Sequence, residues 1–246
     1  AAGRPCVAQC DRRLLAGVPV GTSSFQRKHV HSELLTHRLA HEQTRELKDV
    51  QVSYLLLRYC LSARLTYLLR AVAPSIMVAV AAASDTWHHD TLARLLGRER
   101  DSLHSSVLMQ AAIAPRFGGL GVASAAHTSP CAFLSCALAT MRFVSAAFPR
   151  LAPDLSSIAL DADDAAARLE QLSQLPRASL DDQLAAAPSK TSQHAFAATV
   201  HQQALAELLQ QLPADYNPQH RARVRSCSGP YAGAWLGAIP QDRHTK

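Results

Sequence analysis

The chain is poor in the residue types that announce a function. Only 5% of its 246 residues are aromatic and 18% are charged. No GxxxxGK[ST], GxSxG or GxGxxG segment occurs, and no pair of CxxC motifs. The usual phosphate loop, nucleophile elbow, dinucleotide fingerprint and zinc ribbon are therefore excluded. There is no run of about 20 uninterrupted apolar residues, so no transmembrane segment is expected. The start, AAGRPC, has neither an initiating Met nor an apolar signal region, which reads as a fragment or a processed piece. Six cysteines in so long a chain do not make a disulfide framework. Cys60, Cys131 and Cys136 stand in apolar contexts and read as small buried hydrophobes, and a reducing, intracellular location follows, a nuclear one being compatible.

What is present is Ala, Leu and a modest excess of base. Hydrophobic residues make up 48%, the formal net charge is +6 and the pI is near 9.2. Ala and Leu have high helix propensity, so a mainly α fold is expected. The basic balance tolerates a polyanionic partner without requiring one.

The stretch around which the chain is organised is Asp49–Arg70, DVQVSYLLLRYCLSARLTYLLR, 22 residues without Gly or Pro. Tyr54, Leu57, Leu61, Leu65 and Leu68 recur at helical spacing. Leu55, Leu56, Tyr59, Cys60 and Leu69 load further faces, so the stretch predicts a central helix packed on several sides. Before it, residues 1–24 read as an extended lead-in, with Val18 and Val20 allowing a short strand. A helix is expected over Phe25–Lys48, capped by Ser23 or Ser24, with Val30, Leu34, Leu35 and Leu39 as its apolar side.

After it, Pro74 ends the central helix and Ser75 caps a helix from Ile76 to Leu96, stopped by Gly97. A helix from Ser102 to Ala114, the glycine-rich PRFGGLGVAS, and an apolar helix over Ala123–Phe148 complete a helical core spanning 25–149. Residues 150–190 read as a linker with short helices at Asp163–Leu175 and Leu180–Ala187. Residues 191–246 hold a helix at Ser192–Leu212 and a basic, turn-rich tail.

Twelve histidines raise the question of metal. His37 and His41 lie at i, i+4, as in a zinc-binding helix. No Glu follows His37 as in HExxH, and no third ligand can be picked out. The pair reads as a solvated polar face, and His29–His31 and His88–His89 carry less. Cys6 and Cys10 lack a second pair. No metal and no other cofactor is expected. The doublets Asp163–Asp164 and Asp181–Asp182 precede helix-forming residues and read as helix starts meeting the macrodipole, not as a two-metal site.

The remaining candidates are basic. Arg27, Lys28, Arg58, Arg64 and Arg70 could neutralise backbone phosphates, although snorkelling stems and ordinary ion pairs account for the same residues. Arg58 and Arg64 are six apart, roughly 240° around a regular helix, which argues against one stripe.

Four segments, taken in order, resemble a known family: GVPVGT, SYLLLRYCLSARLTYLLR, APRFGGLGVASA, and Ser228–Pro240 with its SGPYAGAWLGAIP. They are similar to the region downstream of the polymerase palm in non-LTR retrotransposon-type reverse transcriptases. The acid and leucines of HDTLARLLG fall between the second and third. The resemblance spans about Gly17 to Pro240, with 150–190 adding little. It implies a thumb-like helical domain that grips an RNA or RNA–DNA template–primer duplex through its backbone, beside a palm-bearing polymerase portion. The family's Tyr-x-Asp-Asp segment and its zinc-knuckle pattern are absent, so no catalytic residue carries over. The alternative is a helical protein-interaction or structural module that self-associates without binding nucleic acid. Neither reading places the chain in a membrane.

Overall fold

In the computed structural model the described residues are 12–150, 155–177, 192–211, 218–229 and 231–237. The Cys6–Cys10 pair, Asp181 and Asp182, the helix expected over Leu180–Ala187, and Pro240 lie outside them. The described fold is mainly α, as composition predicts, with one two-stranded sheet.

Strands β1 (Arg12–Leu15) and β2 (Val18–Gly21) form an antiparallel hairpin. Helix α1 covers Ser23–Glu46, with Thr22 rather than Ser23 or Ser24 as its cap; the Thr22 hydroxyl accepts from the Phe25 N–H. Its buried stripe is also not the one expected. Val30 and Leu34 are buried as predicted, but Leu35 and Leu39 are exposed, and the stripe continues through His37, His41 and Thr44.

The central run is helical from Val50 to Ala71 but is not one regular helix. Asp49 breaks it from α1 and caps it, its carboxylate accepting from the Val52 N–H. After α2 (Val50–Leu56) comes a π-helical turn at Leu57–Leu61, then α3 (Ser62–Arg64) and α4 (Thr66–Ala71). Five-residue spacing in the π turn shifts the phase of everything after it. Tyr54, Leu57, Leu61, Leu65 and Leu68 are buried as their spacing predicts. Tyr59 and Cys60 are exposed, against expectation, so the run is not packed all round.

Pro74 does not merely stop this run. It is the first residue of α5 (Pro74–Leu95), where its missing N–H costs no intrahelical bond. Helix α6 is shorter than expected, Ser105–Ala112, and is capped by His104. Helix α7 (Ala125–Ala147) is apolar and contains Pro130. By length and composition alone it would suffice to cross a membrane. Here it is the core helix against which α4, α5, α8 (Ser156–Ser173) and α9 (Ser192–Gln211) pack. α10 (Pro218–Ser226) follows.

Helix α8 lies within the expected linker and starts earlier than the short helix expected at Asp163–Leu175. Ala162, Ala165, Ala166 and Leu169 repeat at helical spacing and are buried against Phe133, Leu134 and Ala137 of α7 and Phe196 and Val200 of α9. Alanines give a weak sequence signal, yet their small side chains let two helices approach closely. A second core joins Val30 and Leu34 of α1 to Leu65, Leu68, Leu69, Met77 and Val80.

Candidate functional site

Three of the four segments that carry the family resemblance meet at the loop between α6 and α7, residues 113–124. The loop folds back over the end of α6. The N–H groups of Leu120, Gly121 and Val122 donate to the carbonyls of Gln110, Ile113 and Ala111, which a helix end otherwise leaves unpaired. The central run reaches the loop through Tyr54, whose hydroxyl donates to the Leu120 carbonyl at 2.6 Å. The C-terminal segment reaches it through a bridge between Phe117 and Ser228 and the Gly229 N–H donating to the Arg116 carbonyl. Gln51 Nε2 also donates to the Leu236 carbonyl at 3.2 Å, tying that segment to α2. The hairpin, the fourth segment, attaches elsewhere, by Tyr67 of α4 donating to the Ala16 carbonyl at 2.5 Å.

Beside this loop lies a cleft of about 320 Å³ lined by Arg58, Ala114, Pro115, Arg116, His194, Ala197 and His201. Arg58 comes from the π turn. Its guanidinium packs over the Tyr59 ring, 4.7 Å from the centroid, and its Nη1 is buried without a hydrogen-bond partner. Gly121 has φ +73°, and a Cβ there would stand 3.1 Å from Arg58 Nε, so the glycine leaves room for the arginine. Arg116 lies over Phe117 and its Nη1 is 2.9 Å from His194 Nε2. The His201 pKa is lowered to about 4, chiefly by burial and then by the positive potential of His127, Arg116 and His194. Every named influence on His201 opposes adding a proton, as expected where cations converge and an anion is missing.

Of the five basic residues singled out from sequence, only Arg58 lines this cleft. Arg27 and Lys28 are exposed on α1. Arg64 is exposed, near enough to His37 for its charge to act there. Arg70 is exposed and donates to Gln193 Oε1 through Nε and Nη2. Arg116, His194 and His201 were not anticipated. Arg116 stands inside the PRFGGLG segment, and His194 and His201 are seven apart on a predicted helix, hence on one face. Those two signals could have found them.

The histidines expected on a solvated face are buried. His37 and His41 of α1 and His88 of α5 have 0%, 0% and 2% exposure. His37 Nε2 is 3.0 Å from Ser84 Oγ, and His41 Nδ1 is 2.8 Å from Thr91 Oγ1. Burial, with His88 nearby, lowers His37 to about 4; burial with His88, His37 and Arg45 lowers His41 to about 2. Both rings are neutral at physiological pH. The i, i+4 spacing was legible, but the third ring comes from a helix about 50 residues away.

Asp85 links this cluster to the core helix. Its carboxylate accepts from Ser124 Oγ (2.6 Å) and from the N–H groups of Ala125 and Ala126, capping α7, and lies 3.5 Å from His88 Nδ1. Burial alone would raise its pKa; the contact with His88 and the hydrogen bonds at α7 outweigh that and hold it below the usual carboxylate value. Asp85→Ala is expected to destabilise the fold by about 2 kcal/mol, the worth of a charge-assisted cap, read as a lower urea midpoint.

No family model matches the chain, and no curated protein or solved structure does so either.

Proposed function

We propose that the chain is a non-catalytic, reverse transcriptase-like helical module that holds a template–primer duplex by its phosphates. The single observation that supports this most is the Arg58–Arg116–His194–His201 cleft: two arginines beside two histidines, one guanidinium nitrogen buried without a partner, and no carboxylate among the lining residues. Arginine suits backbone oxygens because its planar fork donates two parallel hydrogen bonds. The three segments of the resemblance that meet beside the cleft place its arginines on a braced loop and a packed helix. Such contacts position a duplex without reading its sequence. The parent family is one of RNA-directed DNA polymerases, and the polymerase chemistry is assigned here to a palm elsewhere.

Fluorescence anisotropy with a labelled RNA–DNA hybrid tests this. Affinity should fall steeply with salt, and Arg58→Gln should weaken binding several-fold while lowering the log–log salt slope by about 1, the loss of one phosphate contact. Binding that ignores salt, or a variant with unaltered slope, would count against the cleft.

A second reading has its own observation. Leu14, Leu15 and Val20 of the hairpin are 55%, 70% and 47% exposed. Isolated two-stranded hairpins are marginal in water, and an exposed apolar one suits contact with another protein surface. Self-association in sedimentation without hybrid binding would favour a protein-interaction module.

A further inference from the structure

We propose that His37, His41 and His88 form a buried transition-metal site of the zinc class that cross-links α1 to α5. One ring nitrogen from each residue lies within 4.8 Å of the other two. The ring centroids are 4.7, 5.1 and 5.8 Å apart, and all three side chains are sealed from solvent. His37 Nδ1 and His41 Nε2 are buried and make no hydrogen bond, while the opposite nitrogen of each ring is engaged by Ser84 or Thr91. That division is the one a metal-bound imidazole shows: one nitrogen on the ion, the other held by an outer partner that orients the ring. A buried nitrogen without a partner otherwise has no compensation for its lost water.

The third ring differs: its Nδ1 is buried beside a carboxylate without a hydrogen bond, and its Nε2 is the nitrogen nearest Ser84. Asp85 Oδ1 stands 3.5 Å from His88 Nδ1, and His88 Nε2 lies 3.5 Å from the Ser84 hydroxyl that also meets His37 Nε2. A carboxylate behind a ligating histidine raises its basicity and offsets part of the ion's charge. Arg45 and Arg64 add opposing positive potential at His41 and His37, which makes the Asp85 carboxylate the group that balances the site.

Tetrahedral zinc with nitrogen ligands at 2.0–2.1 Å sets them about 3.4 Å apart. The rings therefore close inward by small rotations on binding, with a water completing the fourth position. Three protein ligands and a water is the ligand count of catalytic zinc, but the sealed site has no open face for a substrate, so enclosure argues for a structural ion. Imidazole nitrogens without thiolate or carboxylate in direct contact suit Zn²⁺ and Co²⁺ over Mg²⁺ or Ca²⁺. This inference does not depend on nucleic-acid binding.

The whole chain, purified without a histidine tag, stripped with EDTA and then given Zn²⁺, should take up one equivalent by elemental mass spectrometry and show a raised Tm. Co²⁺ should give the intense visible bands of a tetrahedral site. His88→Ala should reduce the uptake to background, while exposed His31→Ala should leave it intact. Should His88→Ala fail to fold, X-ray absorption on the unaltered chain decides: a shell of imidazole nitrogens at about 2.0 Å supports the site. A folded chain that takes up no Zn²⁺ or Co²⁺, uptake unchanged in His88→Ala, or a sulfur-containing shell overturns it.

Discussion

Gly119→Ala should destabilise the protein by at least about 4 kcal/mol, in the range reserved for substitutions that break a packed backbone. A Cβ on Gly119 would stand 2.0 Å from the Ile113 carbonyl oxygen and 2.5 Å from that of Gln110. Neither atom can swing aside, because both carbonyls accept loop N–H groups: Gln110 from Leu120 and Ile113 from Gly121. Relief means opening the loop, which strips the end of α6 of its partners and pulls Leu120 from the Tyr54 hydroxyl. The same movement displaces Arg116 and widens the cleft, so hybrid binding should fall with stability. Urea unfolding of the variant, with circular dichroism as the signal, gives the size of the loss. A midpoint within error of the parent would mean that the loop does not pass this close to α6.

Acid should unfold the metal-free chain well before its carboxylates titrate. His37 and His41 have folded-state pKa values of about 4 and about 2, against 6.5 in the unfolded chain. The unfolded state therefore binds more protons below pH 6.5. The stability present above that pH is lost as the pH falls toward 4. Each ring contributes about 1.4 kcal/mol per pH unit once the unfolded ring is protonated, so the pair costs on the order of 5 kcal/mol between pH 7 and pH 4.5. For a chain of this length that is a Tm fall of about 10–20 °C. Asp85 acts in a lower window, since its depressed pKa withdraws stability only below the ordinary carboxylate value. Calorimetry in EDTA across pH 7 to 4.5 measures the slope. His37→Leu and His41→Leu together should reduce it, with His201, lowered to about 4, supplying part of the remainder; a slope unchanged in that variant would show that the two rings are not the titrating groups.

The acid expectation turns on side chains whose sequence neighbourhood was uninformative. His37 and His41 looked like any polar pair on a basic helix. They are buried because α5 lays Ser84, His88 and Thr91 against that face, and nothing near position 37 records this. The leucines at 35 and 39 obeyed the helical period just as well, and they are exposed. Periodicity reports that a face is apolar; which face meets a neighbour depends on the neighbour.

The sequence by itself determined a good deal. The Ala- and Leu-rich composition predicted a mainly α fold, and Tyr54, Leu57, Leu61, Leu65 and Leu68 predicted one side of the central run. Tertiary structure decided the rest. Five-residue spacing at Leu57–Leu61 cannot be read from residue types that suit an α-helix equally, yet it places Arg58 in the cleft and leaves Tyr59 exposed. The alanines of α8 carried little hydrophobic signal, and became core because close helix approach rewards small side chains. Arg58 met Arg116, and His88 met His37, across gaps of about 50 residues. Such meetings depend on how helices cross, and local propensity holds no information about a crossing.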